Sequence, residues 1–384
     1  MTTETTALTD VRAGLQRHRD AIVRLSHEIA ADPELAFEEH RAMARCAEVL
    51  ETAGIPVERA AYGLPTAFAA RFGSGDRHVV VCAEYDALPE VGHACGHNVI
   101  AAAAVGAGLL LAPLAATAGL RVTVLGTPAE ERFGGKVDLL AAGAFDDADA
   151  ALMIHPSPYD DYAPRSLGID EWRVEYRGRA SHASAAPELG RNALDGLVAG
   201  YQAVAMLRQH LRPLQQVHGI VTHGGDAPNV VPERTEGLFY LRARSAEDLE
   251  DLRERVRSCF EGAATATGTT VAIESVGHSY LPLVPHHGLV RAFTRACEAL
   301  GREYTRDPRG EKLAGSTDFG NVSQRIPALH ADVAVHSWPA VNHQHEFAAH
   351  CVTATADETL LQSAAALALT ALAVAADPAV LSPA

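Results

Sequence analysis

Lysine is almost missing from this chain: Lys136 and Lys312 are the only two among 384 residues, and arginine carries nearly all the positive charge. We read that bias as genomic base composition and not as function. Positive charge is also outnumbered, and a formal net charge of −16 argues against nucleic acid or an anionic membrane as a partner. The six cysteines, Cys46, Cys82, Cys95, Cys259, Cys297 and Cys351, lack any paired spacing. No disulfide framework is therefore expected; reduced thiols in the cytoplasm are. The opening Met1-Thr2-Thr3-Glu4 is polar and acidic, unlike a signal peptide. One uncharged run, Val99 to Leu120, is long enough to span a bilayer. Its alanines, glycines and Pro113 leave it weakly hydrophobic, so a buried core helix is expected there.

What is present is a globular composition, 48% hydrophobic, in a chain long enough for one large or two moderate domains. Helix spacing runs from Ala7 to Ala31, with Leu15, Ile22, Leu25 and Ile29 as its apolar stripe. A second helix is expected over Phe37–Ala53, then strands at Thr66–Phe72 and His78–Ala83 around the turn Gly73-Ser74-Gly75-Asp76. The helix after His97, a strand at Leu120–Leu125, a helix at Val137–Ala142 and a strand at Ala150–Ile154 continue the alternation. That order predicts an α/β fold with a largely parallel sheet flanked by helices. Near Gly168 the texture changes: Ile169–Arg177 alternates like a half-exposed strand. A helix at Asn192–Leu211, strands at Val217–His223 and Gly237–Ala243, a charged helix at Ala246–Ala264 and a strand at Thr270–Ser275 come next. The β-α-β-β-α-β order is that of a ferredoxin-like insert. We expect a first domain from residues 1–167 and 281–384, interrupted by a second at 168–280.

Chemistry gathers behind the strand that ends Cys82-Ala83-Glu84-Tyr85-Asp86. His93, Cys95 and His97 lie within five positions where a strand–loop–helix junction opens, and thiol, imidazole and carboxylate are the donors of a zinc-type site. A second cluster, Pro128-Ala129-Glu130-Glu131, again stands after an apolar strand-like run. Adjacent carboxylates on a loop point apart, so one can bind a metal while the other faces water.

Further stretches join these two: Leu25-Ser26-His27-Glu28 with Pro33-Glu34, Met153-Ile154-His155-Pro156, Ser181-His182-Ala183, Pro228-Asn229-Val230-Val231-Pro232, Gly315-Ser316-Thr317-Asp318-Phe319 and Asn342-His343. In this order, across nearly the whole chain, they resemble the aminoacylase and carboxypeptidase family of metallopeptidases. Within it they are similar to the amidohydrolase subfamily of hippurate hydrolases, indole-acetyl-amino-acid hydrolases, aminobenzoyl-glutamate hydrolase and the β-alanyl-lysine type of dipeptidase. Gly134-Gly135-Lys136 and Ser316-Thr317-Asp318-Phe319-Gly320 lean toward the dipeptidase-like branch.

The resemblance implies a metallopeptidase catalytic domain with an inserted lid and dimerisation domain. It implies two divalent metal ions per subunit, zinc first and manganese or cobalt as substitutes, on Cys95, His97, Glu131, His155 and His343. His345 and His336 compete with His343, and the Asn-His pattern favours His343. His93 is assigned to loop packing. Glu130 is the implied general base, Asp86 the carboxylate that orients a metal-binding histidine, and His182 the oxyanion donor, reaching the partner subunit of a homodimer. Asn229, Arg242 and Ser316 are the implied substrate-binding residues. The implied reaction is hydrolysis of an amide bond in a small dipeptide or an N-acyl-amino acid with a free carboxylate. A strict N-acyl-amino-acid deacylase stays open beside it, as do a Cys95 nucleophile with His97 or His182 as base, and an inactive binding relative. The chain departs from the subfamily at Arg132-Phe133, where glycines usually come after the glutamates, which adds bulk near the metal mouth.

Overall fold

The computed structural model describes residues 3–309 and 313–382. Its main elements run α1 (Thr3–Ala30), α2 (His40–Thr52), β1 (Val57–Arg59), β2 (Phe68–Gly73), β3 (Arg77–Glu84), α3 (His97–Leu111), β4 (Leu120–Thr127), α4 (Gly135–Ala141) and β5 (Ala150–Ser157). Next come β6 (Gly168–Arg177), α5 (Ala193–Leu207), β7 (Gln216–His223), β8 (Arg234–Ala243), α6 (Ala246–Thr267) and β9 (Thr270–Ser275). The chain closes with α7 (His287–Leu300), β10 (Ala328–Ala334), α8 (His345–His350) and α9 (Ala354–Ala376). It folds as two units: Met1–Arg165 with Leu283–Ala314 and Asn321–Ala384, and Ser166–Pro282 with Gly315–Gly320.

The first unit is built on a six-stranded sheet of order β1-β2-β4-β3-β5-β10. β4, β3, β5 and β10 run parallel, and β1 and β2 add an antiparallel edge. β3 is buried along seven of its eight residues, which is why Val79-Val80-Val81 reads as a continuous run and not as an alternation. α3 covers the sheet with all fifteen residues buried. Small residues make that possible: a Cβ on Gly106 would stand 2.9 Å from Ala364 Cβ, and one on Gly108 would stand 2.6 Å from Val124 Cγ2. The uncharged run after Asn98 is thus a core helix that ends at Leu111. α9 is long and apolar enough to cross a membrane by length and composition alone, but 72% of its most apolar window is buried against the protein.

Two boundaries differ from the sequence reading for identifiable reasons. α2 begins at His40 and not at Phe37, because Phe37 sits in the left-handed region and the Glu34 carboxylate accepts the N–H groups of Arg41 and Ala42, both at 2.8 Å. β5 continues through His155 and Pro156 to Ser157. Its pairing with β3 stops at Leu152, while its pairing with β10 runs on to Ser157. Beyond Leu152 the β3 side of β5 needs no backbone donor, so proline is tolerated there, and the strands part into a crevice at their carboxyl ends.

Just past that strand, Asp160 anchors the chain. Its carboxylate accepts from Arg302 Nη2 at 2.8 Å, Ala334 N at 2.9 Å and Thr305 N at 2.8 Å, and both charged side chains are almost wholly buried. Asp160→Ala strands the Arg302 cation and is expected to destabilise the first unit by about 3–5 kcal/mol. Chemical denaturation of the purified variant measures it; an unchanged midpoint would show that water reaches the guanidinium.

The second unit carries an antiparallel sheet of order β9-β6-β8-β7, the strand order of a ferredoxin-like fold. β6 alternates buried and open positions, and its buried side chains Trp172, Val174 and Tyr176 pack with Leu197, Leu252, Val256 and Phe260 from α5 and α6. The segment Gly315–Gly320, expected in the first unit, packs with the second. Ser316 Oγ donates to Leu167 O at 2.7 Å and accepts from Arg242 Nη1 at 3.0 Å.

Candidate metal centre

Three parallel strands deliver the site. β3 ends at Glu84 with Asp86 two residues on, β4 leads into Glu130 and Glu131, and β5 carries His155 near its end. His97 opens α3, directly after Gly96. At φ +75°, with a Cβ that would lie 2.7 Å from Pro156 and 3.0 Å from Cys351 Sγ, Gly96 admits no other residue without strain. The turn after β4 is equally constrained. Ala129 has φ +62°, and its carbonyl accepts the N–H groups of Phe133, Gly134 and Gly135. Its own N–H donates to Glu39 Oε1 at 2.8 Å. His343, also left-handed at φ +71°, is tied by its N–H to Ala94 O at 2.9 Å, next to Cys95. Strained non-glycine backbone at two of these positions fits a site held by its surroundings.

Ligand atoms of Cys95, His97 and His155 lie within 4.8 Å of one another, and so do those of Cys95, Glu131 and His343. Cys95 belongs to both groups. A third group joins Glu84, His97 and Glu130. The hydrogen bonding of the imidazoles orients them for metal binding. His97 Nδ1 faces two acceptors, Asp86 O at 2.8 Å and Asp86 Oδ1 at 3.1 Å, so it carries a proton and turns Nε2 toward the pocket as the nitrogen that could ligate. His155 Nδ1 donates to Pro156 O at 2.9 Å, which again frees Nε2. Asp86 Oδ2 accepts the N–H of Glu131 at 2.8 Å, so one carboxylate orients both His97 and the glutamate turn.

The donor set also fits a cation by what it leaves unsatisfied. His97 Nε2, Glu84 Oε1 and Glu131 Oε1 are buried without a hydrogen-bond partner, although Nε2 lies 3.0 Å from the Glu84 oxygen and 3.8 Å from the Glu131 oxygen. Buried polar atoms are rarely left so, and thiolate, imidazole and carboxylate are the donors of a divalent transition metal. Burial pushes the His97 imidazole down, but Glu84 and then Asp86 overrule it and hold it well above the ordinary histidine value. The same negative field attracts a cation. Burial and then the His97 charge push His155 down to about 4, which keeps it neutral and able to ligate. Burial, and after it Glu131, pushes the Cys95 thiol well up, so it is an inert thiol until a metal displaces the proton.

His93 is buried in the loop, pushed down to about 3 by burial and then by the His97 charge, and falls in none of the three groups. His336 and His345 fall in none either. Phe133 stacks on Phe37 with ring centres 5.6 Å apart, and the Arg132 guanidinium lies over the Phe133 ring at 5.2 Å. Three side chains at the centre carry no role in the sequence reading: Glu84, Lys136 and Glu39. A lysine after two glycines, in a chain with only two lysines, was a usable signal; the buried glutamate of α2's entry had none.

In the second unit, His182 and Asn229 come together. His182 bridges Val230, and Ala183 N donates to Asn229 O at 3.0 Å. His182 Nδ1 lies on the open side of the loop and accepts from the N–H groups of Ser184 at 3.3 Å and Ala185 at 3.2 Å. Its proton is therefore on Nε2, which is left as a donor. Arg242 is paired with Ser316, as above.

A model of the peptidase family M20/M25/M40 matches residues 80–372. An Xaa-Arg dipeptidase of Mus musculus is 42% identical over 372 residues, covering 93% of this chain and 86% of that protein. One of the p-aminobenzoyl-glutamate hydrolase subunits of Escherichia coli is 34% identical, covering 71% of this chain and 60% of its own length. Among solved structures, a dinuclear metal-binding peptidase of the M20 family from Bacillus subtilis superposes with a TM-score of 0.72 at 20% identity, over 94% of this chain and 99% of that one. The chain belongs to the M20/M25/M40 peptidase family.

Proposed function

We propose that this peptidase-family member is a metal-dependent dipeptidase that hydrolyses the amide bond next to a free C-terminal carboxylate. The observation that carries the reading is the double group of ligand atoms sharing Cys95, in a chain 42% identical to an Xaa-Arg dipeptidase. Cys95, His97 and His155 would hold one ion and Cys95, Glu131 and His343 the other. Two divalent ions, when bound, polarise the scissile carbonyl and acidify a water toward a pKa of about 7. Thiolate and imidazole favour zinc; the carboxylates also suit manganese.

Glu130 takes a proton from the attacking water and returns it to the leaving amine nitrogen. Asp86 keeps the proton of His97 on Nδ1. His182 donates Nε2–H to the oxyanion, acting across a homodimer. Arg242, steadied by Ser316, grips the substrate carboxylate, with Asn229 on the peptide backbone. A Cys95 nucleophile is disfavoured, because burial holds that thiol protonated and His97 Nδ1 is already engaged. The unpaired spacing of the thiols suits a reducing cytoplasm.

The test is a panel on the full chain: Xaa-Arg and other dipeptides, their C-terminal amides, N-acyl-amino acids and p-aminobenzoyl-glutamate. Dipeptides ending in a free carboxylate should turn over and their amides should not. Exhaustive chelation should abolish activity and zinc or manganese should restore it. Full turnover after chelation would overturn the metal reading, and cleavage of N-acyl-amino acids alone would make the enzyme a deacylase.

A further inference from the structure

The centre also holds a buried lysine. Lys136 comes after the Glu130–Glu131 turn as the second residue of α4, and its side chain is wholly buried. Its ammonium contacts Glu84 Oε2, and Glu84 is itself 1% exposed. The other oxygen, Oε1, lies 3.0 Å from His97 Nε2 without a hydrogen bond. A buried lysine is costly and in this position is not needed for packing, since an apolar side chain would fill the same volume. Glu84 groups with His97 and Glu130 but with neither set that contains Cys95. Were Glu84 to bind a divalent ion directly, that ion would stand within roughly 4–5 Å of the ammonium and be repelled by it.

We propose that Glu84 and Lys136 form a positioning pair for the metal centre. Lys136 holds Glu84 by one oxygen, so that the other borders His97 and adds negative charge to the pocket without taking a coordination place. The inference rests on the metal reading of Cys95, His97 and Glu131 proposed above. It adds two residues that lie outside both Cys95 ligand groups, and it assigns Lys136 the task of keeping a carboxylate out of the ligand set.

The experiment compares the wild-type chain with Glu84→Gln, Lys136→Met and the double variant. The readouts are zinc affinity, by competition with a chromophoric chelator, and the absorption bands of the cobalt-loaded protein. Glu84→Gln should weaken zinc about 10- to 100-fold, the range for a lost outer partner, and leave the cobalt bands in place. Lys136→Met should release Glu84 onto the metal, weakening the cobalt bands as the coordination number rises. Adding Glu84→Gln to Lys136→Met should abolish that change. The double variant removes both charges of the pair together, so it decides the matter if Lys136→Met does not fold: its bands should match the wild type and its affinity that of Glu84→Gln. Cobalt bands altered by Glu84→Gln alone would make Glu84 a native ligand and overturn the proposal. Unchanged affinity and spectra in all three would reduce the pair to packing. A wild-type chain that binds neither zinc nor cobalt would instead fail the metal reading itself.

Discussion

Glu130→Gln is expected to cut turnover by ~10²–10⁴, the range for a general base, while zinc content and fold stay as in the wild type. The expectation comes from how the two adjacent glutamates are held. Glu131 has its N–H fixed on Asp86 and one oxygen within 3.8 Å of His97 Nε2, and it shares a group with Cys95 and His343. Glu130, nearly buried, falls outside both Cys95 groups. Glutamine keeps the shape and removes only the ability to take a proton. Metal analysis beside steady-state kinetics separates the roles. Lost metal with lost activity would make Glu130 a ligand, and near-normal turnover would give the base to Glu131.

The second large effect is expected at His182. Its Nδ1 is occupied by two backbone N–H groups, which leaves Nε2–H as a fixed donor. Removing one oxyanion donor costs about 10²–10³ in turnover, so His182→Ala should lose that much with little change in substrate affinity. A mixing experiment tests the proposed cross-subunit action. His182→Ala and Glu130→Gln, each strongly impaired, are combined under conditions that exchange subunits. One of the two sites in a mixed dimer then contains both native residues, and part of the activity should return. Demonstrated exchange without recovery would assign His182 to its own chain's site.

The sequence by itself determined the strands and the loops at their carboxyl ends. Val79-Val80-Val81 and Val122-Thr123-Val124 read as buried parallel strands because both of their faces are covered, and the loops after them carried Cys95, His97, Glu130 and Glu131 in plain view. Reactive residues at the carboxyl ends of parallel strands are expected from that pattern alone. The ferredoxin-like order of the second unit was legible for the same reason: its alternation marks one covered face. Only the tertiary structure decided which residues meet. Strand order β4-β3-β5 brings Glu84 to Lys136 across 52 residues, and Glu39 reaches Ala129 across 90. Ser316 joins Arg242 in the second unit although it lies 74 residues further on. β5 runs through His155 because it keeps a neighbour on one side after losing the other. Local propensity records how one segment is covered. It carries no record of the distant side chain that covers it, because that depends on the order in which the strands are laid down in the sheet.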